Sequence, residues 1–478
     1  MKKLNAFLVS ALATAALNAA VIEQVIVRQQ WPWSTDVKVE YKLSGVTKPV
    51  DLTVKAYNGD VELPLPTTAV KGERYGISED GVGTIVIDPV MAFGNAKVAL
   101  ANFKVKLTVS DSPENLDEVI YKILTLNQSS SVPCENVTRR DILNGKYGSY
   151  ETDYSKIGSG FQTSIKDVLI WTGVTNDIAY KTTKLVLRKI PAAGKNFKMG
   201  SGTDASQQST VSFANDYWMA VFETTAYQHR LMYQSWIDPN YSYLPWESQR
   251  TQEVASGVTA SDVTPADYLS WSGIRAHKGD DQWPVSTHAD SYEWYQIGRL
   301  RVVSGELYDL PTSAEWEFAA RAGTTTELIS GKTYSESGVA EICRTWAVNC
   351  KVAAQEPGSE SNPDRDAGFP TAACSLEFGC NMVGQYRPNA YGLYDMMGNA
   401  VEWCLDYRNQ NVPLTETYDG KADPKGPSDP TWSTSPDRVL RGGSYRFGIT
   451  DVGQVYQLYY GSRYKDAGYR LCLHEVNK

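Results

Sequence analysis

The chain has 478 residues, of which 42% are hydrophobic, and its formal net charge at pH 7 is −9. This length exceeds what one hydrophobic core usually organises, so two domains are expected. The acidic balance is spread without a basic stripe, which argues against nucleic acid or an anionic membrane as the main partner. No apolar run after the first twenty residues is long enough to span a bilayer, so no membrane span is expected.

Residues 1–20 have the pattern of a secretory signal peptide. Lys2 and Lys3 precede an apolar run over residues 4–17, and the small residues Ala19 and Ala20 follow it. A charged head, an apolar centre and a small-residue tail predict export and removal of this leader. The alternative, a buried N-terminal helix, accounts less well for the charged head and the small tail. We therefore expect a secreted or periplasmic protein.

The cysteine content permits disulfides in an oxidising compartment, and the odd number leaves at least one thiol free. Close spacing makes Cys343 with Cys350, and Cys374 with Cys380, reasonable loop disulfides, although sequence alone does not fix the connectivity. A zinc site is disfavoured, because no C-x-x-C pair and no nearby histidine accompany the cysteines. The seven residues are Cys134, Cys343, Cys350, Cys374, Cys380, Cys404 and Cys472.

Residues 21–110 alternate between apolar and polar positions with period two. Runs over residues 37–43, 50–57, 83–88 and 97–109 read as strands, and turn-forming residues such as Asn58 and Gly59 separate them. This spacing predicts an antiparallel β-sandwich of the immunoglobulin or fibronectin-III type. Residues 111–179 show little periodicity and many Gly, Ser and Tyr residues, so they are expected to form a connector that packs on a neighbour.

The second domain is expected over residues 180–478, beginning with a strand at residues 184–190. A second strand over residues 217–222 leads to Thr224 or Thr225 as the N-cap of a helix. Another helix is expected to begin at Pro265, because proline is tolerated in the first helical turn.

The clearest helix follows Pro311. Thr312 and Glu315 form the T-x-x-E capping box, a buried stripe begins with Trp316, and Gly323 occupies the C-cap position. Residues 324–389 are rich in Gly, Ser, Pro and Asp and are expected to form an ordered surface excursion.

Four motifs in this domain carry a family resemblance. They are LPTSAEWEFAARAG at residues 310–323, GLYDMMGNAVEWCLD at 392–406, RVLRGGSY at 438–445 and GYRLCL at 468–473. In this order they resemble the formylglycine-generating enzyme, or sulfatase-modifying factor, family. The resemblance covers roughly residues 184–475 and implies a variant of the C-type lectin fold with much irregular structure. The expected fold class is therefore α+β, an N-terminal β-sandwich followed by this domain.

The motif at residues 392–406 is a candidate calcium site. Asp395 and Glu402 lie seven residues apart around a Gly398-Asn399 turn, so a folded-back loop could direct both carboxylates and carbonyl oxygens at one hard cation. The resemblance implies calcium ligands at Asp395, Gly398, Ala400 and Glu402, with backbone oxygens from Gly398 and Ala400. The alternative is that Asp395 caps a turn and Glu402 accepts bonds from backbone amides.

The copper chemistry implied by the resemblance is expected to be lost. In catalytic members of the family, cysteines bind copper three and eight residues after the serine of the R-G-G-S motif. Here Phe447 and Val452 occupy those two positions after Ser444, and neither side chain can ligate Cu(I), which prefers thiolates. No catalytic residue is therefore assigned and copper is not expected.

A ligand-binding groove is expected instead. The stretch after Ser444 is rich in tyrosine, which offers a large rigid contact area and a hydroxyl at low entropic cost, and relatives line their substrate groove with this stretch. The alternative is ordinary aromatic packing in a chain with 29 tyrosines. The expected groove residues are Ser444, Arg446, Phe447, Tyr456, Tyr459, Tyr460 and Tyr464.

These observations favour an exported member of the family that binds a protein, peptide or glycan and has lost the oxidase chemistry. A first alternative is a formylglycine-generating or related oxidative maturase whose active residues are displaced. A second alternative is a display protein whose C-terminal stretch is diversified.

Overall fold

The computed structural model describes most of the chain in segments. It covers residues 20–30, 33–94, 100–126, 132–200, 208–236, 253–275, 295–332, 336–345, 379–408, 412–427, 437–446, 453, 455–459 and 461–474. Several positions singled out above lie outside the described residues, namely the leader before Ala20, Cys350, Cys374, Phe447, Val452 and Tyr460.

The chain divides into two compact units. The first contains the described residues up to Ile120, together with Val137–Thr152 and Leu169–Val174. The second contains Tyr121–Asn136, Asp153–Val168 and the described residues from Thr175 onward. The expected boundary near residue 180 therefore lies close to the point from which the chain stays in the second unit.

The first unit contains two antiparallel sheets and two short helices. One sheet has the strand order β1-β2-β6-β5 and the other has the order β4-β3-β7. The strands are β1 (Val21–Gln29), β2 (Val37–Ser44), β3 (Val50–Asn58), β4 (Val61–Leu63), β5 (Val70–Gly72), β6 (Gly81–Ile87) and β7 (Phe103–Asp111). The helices are α1 (Pro89–Phe93) and α2 (Arg139–Leu143).

Alternation along the strands explains this core. On β2, Val37, Val39, Tyr41 and Leu43 are buried while the residues between them are half-buried or exposed, as expected of a strand with one face inward. Strands from both sheets contribute to one hydrophobic cluster. The strands expected at residues 37–43, 50–57 and 83–88 are confirmed, whereas the one expected at residues 97–109 begins only at Phe103, after a turn.

The second unit is built on a six-stranded sheet with the order β16-β21-β13-β10-β8-β9 and a four-stranded sheet with the order β19-β18-β17-β20. The pairs β11–β12 and β14–β15 form separate ribbons. The strands are β8 (Val119–Thr125), β9 (Cys134–Thr138), β10 (Lys184–Ile190), β11 (Asn196–Met199), β12 (Ser209–Ser212), β13 (Tyr217–Ala220), β14 (Glu253–Ala255), β15 (Val258–Thr259), β16 (Tyr308–Asp309), β17 (Val401–Arg408), β18 (Asp437–Arg441), β19 (Tyr456–Tyr459), β20 (Ala467–Gly468) and β21 (Cys472–His474).

The helices that follow α2 are short. They are α3 (Ala226–Trp236), α4 (Trp271–Arg275), α5 (Gln296–Ser304), α6 (Ser313–Arg321), α7 (Glu336–Ala340) and α8 (Leu414–Tyr418). The protein is thus sheet-rich and α+β, as expected. No helix among the described residues is both long and apolar enough to cross a bilayer.

Residues 111–179 contribute more regular structure than a connector would. Strand β8 lies inside the six-stranded sheet, between β10 and β9, and pairs with β10 from Tyr121 to Thr125. Four of its seven residues are buried, and they lie on both faces of the strand, so buried and exposed positions do not alternate. A strand covered on both faces lacks the period-two signal, which explains why the sequence did not reveal it.

The helix ends predicted from capping residues agree in part with those in the structure. Helix α6 has Thr312 as its N-cap and the reciprocal capping box with Glu315, which confirms the expectation. The left-handed C-cap is Ala322 with φ 43°, one residue before the expected Gly323. The helix expected at Pro265 is wrong, because Pro265 forms a β-bridge with Thr225.

The described cysteines differ in burial. Cys343, Cys380, Cys404 and Cys472 are buried, and Cys134 is exposed. The pairs suggested for Cys343 and Cys380 stay predictions, because Cys350 and Cys374 lie outside the described residues. A buried cysteine side chain packs as a small hydrophobic group.

Candidate functional site

The loop before β17 is held in a left-handed conformation at three positions. Asp395, Gly398 and Asn399 have φ values of 57°, 73° and 62°. The N–H of Gly398 donates to the carbonyl of Gly442 at 2.8 Å, and the N–H of Asn399 donates to the carbonyl of Arg344 at 2.8 Å. A Cβ at Gly398 would meet the Arg344 carbonyl oxygen at 2.3 Å, so glycine is required here by close backbone approach.

A buried ion pair between Arg470 and Glu402 lies beside this loop. The Arg470 Nη2 lies 2.7 Å from Glu402 Oε1, and Nε lies 3.2 and 3.1 Å from Oε1 and Oε2. The Trp316 indole N–H donates to Glu402 Oε2 at 2.7 Å. The remaining Arg470 nitrogen, Nη1, donates to the carbonyls of Ala220 and Val221 at 2.9 and 3.0 Å. Three of the four sequence motifs therefore converge on one carboxylate.

Glu223, which the sequence interpretation missed, completes this cluster. Its Oε2 accepts a 2.6 Å bond from the Asn399 side-chain amide, and its Oε1 accepts a 2.9 Å bond from the Ala400 N–H. Burial raises the pKa of Glu223 well above its usual range, and the nearby charges of Asp395 and Glu402 raise it further. The available signal was a charged residue three positions after the end of β13, directly after a run of apolar residues.

Asp395 has one satisfied and one unsatisfied carboxylate oxygen. Oδ2 accepts a 2.6 Å bond from the N–H of Gly384, whereas the buried Oδ1 accepts no hydrogen bond from the part of the chain that the structure describes. Burial raises the pKa of Asp395 to about 6, while the Gly384 N–H, Arg470 and Lys181 act in the opposite direction. An unpaired buried carboxylate oxygen is costly and calls for a partner.

Of the expected calcium ligands, Asp395 is suited to bind a cation and Glu402 is not. Asp395 fits, because its Oδ1 is a free hard oxygen and the carboxylates of Glu223, Asp395 and Glu402 outnumber the neighbouring cations Arg470 and Lys181. Glu402 fits poorly as arranged, because its two oxygens already accept four N–H contacts from Arg470 and Trp316. A carboxylate offers about four lone-pair sites.

Ser444 does not present its hydroxyl to a surface. The residue is fully buried, its Oγ donates to the Asp466 carboxylate, and Oγ accepts a 3.1 Å bond from the Arg446 N–H. Just before it, Arg441 forms a fully buried ion pair with Glu317 on α6. The R-G-G-S motif is thus held in place by buried polar bonds.

The Cys380 thiol lies beside the Asn399–Ala400 segment of this loop. Cys380 packs against Ala400 and Tyr445, and its Sγ lies 3.6 Å from the Asn399 carbonyl and 3.9 Å from an Asp267 carboxylate oxygen. Burial raises the pKa of Cys380 well above its usual range, and the neighbouring carboxylates add to the effect. A thiol with a raised pKa is a weak nucleophile, because the thiolate is the reactive form.

The expected groove tyrosines do not share one face. Tyr456 and Tyr459 are both half-buried on β19, and they are three residues apart, so they point to opposite sides of the sheet. Tyr456 pairs with Leu440, and Tyr459 pairs with Asp437, in the antiparallel register with β18. Tyr464, also half-buried, follows a turn and lies outside the strand.

The second unit is thus an α+β domain in which distant glycine-punctuated motifs meet around a buried ion pair. The family model described as the sulfatase-modifying factor enzyme 1-like domain matches residues 178–474. This match covers more than half of the chain, and the chain belongs to that family.

Curated relatives match a shorter stretch. The formylglycine-generating enzyme of Streptomyces coelicolor is 35% identical over 136 residues, which are 28% of this chain and 35% of that enzyme. The enzyme of Mus musculus is 32% identical over 136 residues, 28% of this chain and 30% of that enzyme. The chain therefore spans about a third of the length of these relatives. Among solved structures, Treponema denticola variable protein 1 is 24% identical, with 61% of this chain and 95% of that one covered and a TM-score of 0.38.

Proposed function

We propose that this chain is an exported, ligand-binding member of the family that lacks the copper oxidase chemistry. The observation that carries the proposal is the replacement of both expected copper ligands by Phe447 and Val452. Two findings support it further. Ser444 is buried and bonded to Asp466, and burial raises the pKa of the Cys380 thiol, which packs against Tyr445, well above its usual range.

The ligand surface that we propose is the face of β19 that carries Tyr459. On this face Tyr459 pairs with the half-buried Asp437, so a tyrosine ring and a carboxylate are adjacent. The opposite face carries Leu458 and Tyr456 beside Arg438, whose guanidinium lies 3.8 Å from the Trp271 ring centroid in the core. A protein, peptide or glycan that binds through aromatic contacts and hydrogen bonds matches the chemistry of the Tyr459 face.

A peptide and glycan array of the purified full chain tests this proposal. We expect Tyr459→Ala to lower binding of any array ligand at least ten-fold, since aromatic anchors in interfaces contribute about 2 kcal/mol or more. The matched control is Tyr456→Ala, on the same strand but the opposite face, and it should leave binding within about three-fold, which corresponds to under 1 kcal/mol. Equal losses in both variants, or unchanged binding in Tyr459→Ala, would contradict the proposed face.

The enzymatic alternative makes a different prediction. A maturase with displaced active residues would take up copper and convert the cysteine of a sulfatase-type peptide to formylglycine. We expect neither outcome for the purified chain, by metal analysis and by mass spectrometry of the peptide. Conversion that survives Cys380→Ala would place the chemistry elsewhere, and conversion that is lost in this variant would make Cys380 the catalytic thiol.

We also propose that the loop before β17 binds calcium through Asp395. The support is the unpaired Oδ1 and the excess of buried carboxylates around Arg470. Carbonyl oxygens of Gly398 and Ala400 would supply further hard ligands, and Glu402 would act mainly as the counter-ion of Arg470. Calcium supplies charge neutralisation and rigidity here and takes no part in a reaction.

Three further inferences concern the fold type of each unit and the location of the protein. We infer that the first unit is an immunoglobulin-like or fibronectin-III-like sandwich, since its two sheets share one hydrophobic cluster, and that the second unit is a variant of the C-type lectin fold. We also infer that the leader directs export, because Lys2 and Lys3 precede an apolar run. N-terminal sequencing of the protein secreted by a bacterial host would test the last point, and an intact Met1 would contradict it.

A further inference from the structure

Three metal-ligand side chains that take no part in the sites proposed above form a cluster. Glu315, Cys472 and His474 place one ligand atom each within 4.8 Å of one another. The Cys472 Sγ lies 3.5 Å from His474 Nε2, and this nitrogen lies 3.0 Å from the Glu315 carboxylate oxygens. Cys472 is fully buried, and Glu315 and His474 are each 8% exposed.

Regular structure fixes all three side chains. Cys472 and His474 lie two residues apart on β21, so they project from the same face of the strand. The register holds them in place, because Cys472 pairs with Met219 and His474 with Tyr217 on β13. On the helix side, Glu315 is fixed at the third position of α6 by the capping box with Thr312.

Tyr217 joins the two sides of this cluster. Its hydroxyl donates to the Glu315 carbonyl at 2.7 Å, and its ring stacks on the His474 imidazole with centroids 6.4 Å apart. The strand and the helix that carry the three ligands are therefore held at a fixed separation. A preorganised set of ligands lowers the entropic cost of binding an ion.

The donor set and spacing match a borderline-soft divalent ion. Thiolate, imidazole and carboxylate are the three zinc ligand types, and bonds of about 2.0–2.3 Å place neighbouring ligand atoms roughly 3.3–3.6 Å apart in a tetrahedral site. The observed separations of 3.5 and 3.0 Å are close to these values. Calcium would prefer an all-oxygen site instead.

We propose that Glu315, Cys472 and His474 form a binding site for a divalent transition-metal ion of the zinc class, which ties β21 to α6. Binding converts the Cys472 thiol to a thiolate and releases its proton to solvent. The thiolate and the Glu315 carboxylate then balance the two positive charges of the ion, and His474 ligates as a neutral imidazole. Three protein ligands leave one coordination position for water.

The expectation of no zinc site rested on the absence of a C-x-x-C pair and of a nearby histidine. The C-x-H spacing of Cys472 and His474 on a strand was the signal that this reasoning overlooked. A strand places alternate residues on one face, and the third ligand comes from a helix more than 150 positions earlier in the chain.

Titration of the purified full chain with cobalt(II) tests the proposal, because a cobalt thiolate gives a charge-transfer absorption that other ligands do not give. We expect one cobalt per chain with this absorption, displacement of cobalt by zinc, and release of one proton per ion. Cys472→Ala should abolish the charge-transfer absorption, and His474→Asn should weaken binding at least ten-fold. The matched control is Cys343→Ala, which removes another buried cysteine side chain and should change neither measurement.

Three results would overturn the proposal. The first is a wild-type chain whose bound cobalt shows no thiolate absorption, and the second is a wild-type chain that retains no zinc after dialysis. The third is thiolate absorption that persists in Cys472→Ala. Should Cys472→Ala fail to fold by near-ultraviolet circular dichroism, the wild-type spectrum and the His474→Asn affinity still decide the question.

Discussion

Arg470 and Glu402 form a fully buried ion pair across 68 positions of sequence, with Arg470 Nη2 2.7 Å from Glu402 Oε1. The guanidinium also bonds to three backbone carbonyls, and the carboxylate accepts the Trp316 indole N–H. The pair thereby joins the end of the chain to β17 and α6. Removing one partner would leave an uncompensated buried charge, which is far more costly than removing an exposed pair.

Arg470→Met is therefore expected to lower the free energy of unfolding of the second unit by about 3–5 kcal/mol in urea titrations. The control Lys332→Met removes a partly exposed pair with Glu341 and should cost less than about 1 kcal/mol. The double variant Arg470→Met/Glu402→Met should be less destabilised than the sum of the single variants. A loss below about 1 kcal/mol for Arg470→Met would refute the importance of this pair.

The close approach at Gly398 gives a second prediction. A Cβ there would lie 2.3 Å from the Arg344 carbonyl oxygen, whereas a Cβ at Gly194, with nearly the same φ of 69°, would meet nothing within 4 Å. Both variants place alanine in a left-handed conformation, which costs about 1–2 kcal/mol. The difference between their stabilities therefore reports the steric clash with the Arg344 carbonyl alone. We expect Gly398→Ala to be the less stable by at least about 2 kcal/mol in thermal unfolding. Equal melting temperatures would show that the loop relaxes.

His229 predicts a pH dependence of stability. Burial lowers the pKa of His229 from 6.5 to about 3, and the nearby Arg230 charge acts in the same direction. The folded state therefore keeps the imidazole neutral while the unfolded chain binds a proton below pH 6.5, so this residue makes stability fall as pH falls from about 6.5 to 3. Between pH 6.5 and 4.5 the loss is about 3 kcal/mol, at 1.36 kcal/mol per pH unit.

His229→Asn keeps a polar group near the Tyr469 hydroxyl, which lies 3.1 Å from His229 Nδ1, and removes the titration. The measurement is the free energy of unfolding of both proteins at pH 7, 5.5 and 4.5. We expect the difference between wild type and variant to shrink or reverse as the pH falls. Parallel pH profiles would mean that His229 is protonated in the folded state.

Calcium at the loop before β17 is open to direct measurement. We expect the purified chain to retain calcium. Removal of the ion by EGTA should lower the melting temperature by several degrees, since a unit of this size loses at most about 4 °C for each kcal/mol of lost stability. Asp395→Asn should abolish the EGTA effect, because it removes the charge while preserving the shape. Asp406→Asn changes a buried carboxylate that bonds Ser313 and Tyr418 instead, and it should leave the EGTA effect intact. A wild-type chain without calcium and without any EGTA effect would contradict the site.

The sequence located those helices and strands whose defining pattern lies within a few consecutive residues. The strand at Val37–Ser44 and the helix at Ser313–Arg321 appear where the pattern indicated, because period-two alternation and a capping box are encoded within a few residues. Strand β8 was missed because both of its faces are covered. The helix expected at Pro265 failed because Pro265 bridges to Thr225, a partner that lies 40 positions earlier.

In the candidate site, too, short motifs identified individual residues, but not their contacts with distant segments. The motifs identified Asp395 and Glu402 as the acidic residues of the loop, but the pairing of Glu402 with Arg470 and the role of Glu223 depend on contacts between distant segments. Ser444 could be named from its motif, whereas its burial against Asp466 could not be inferred. The opposite orientations of Tyr456 and Tyr459 followed only once the strand was known.

By itself the sequence determined the family, the acidic α+β character and the presence of Phe447 and Val452 where the resemblance implies cysteines, since these depend on residue identity and short-range spacing. Tertiary structure decided which carboxylate is neutralised, which hydroxyl is buried and which thiol lies beside a histidine and a glutamate. Those outcomes depend on burial and on long-range hydrogen bonds, and both arise only when segments far apart in the chain pack together.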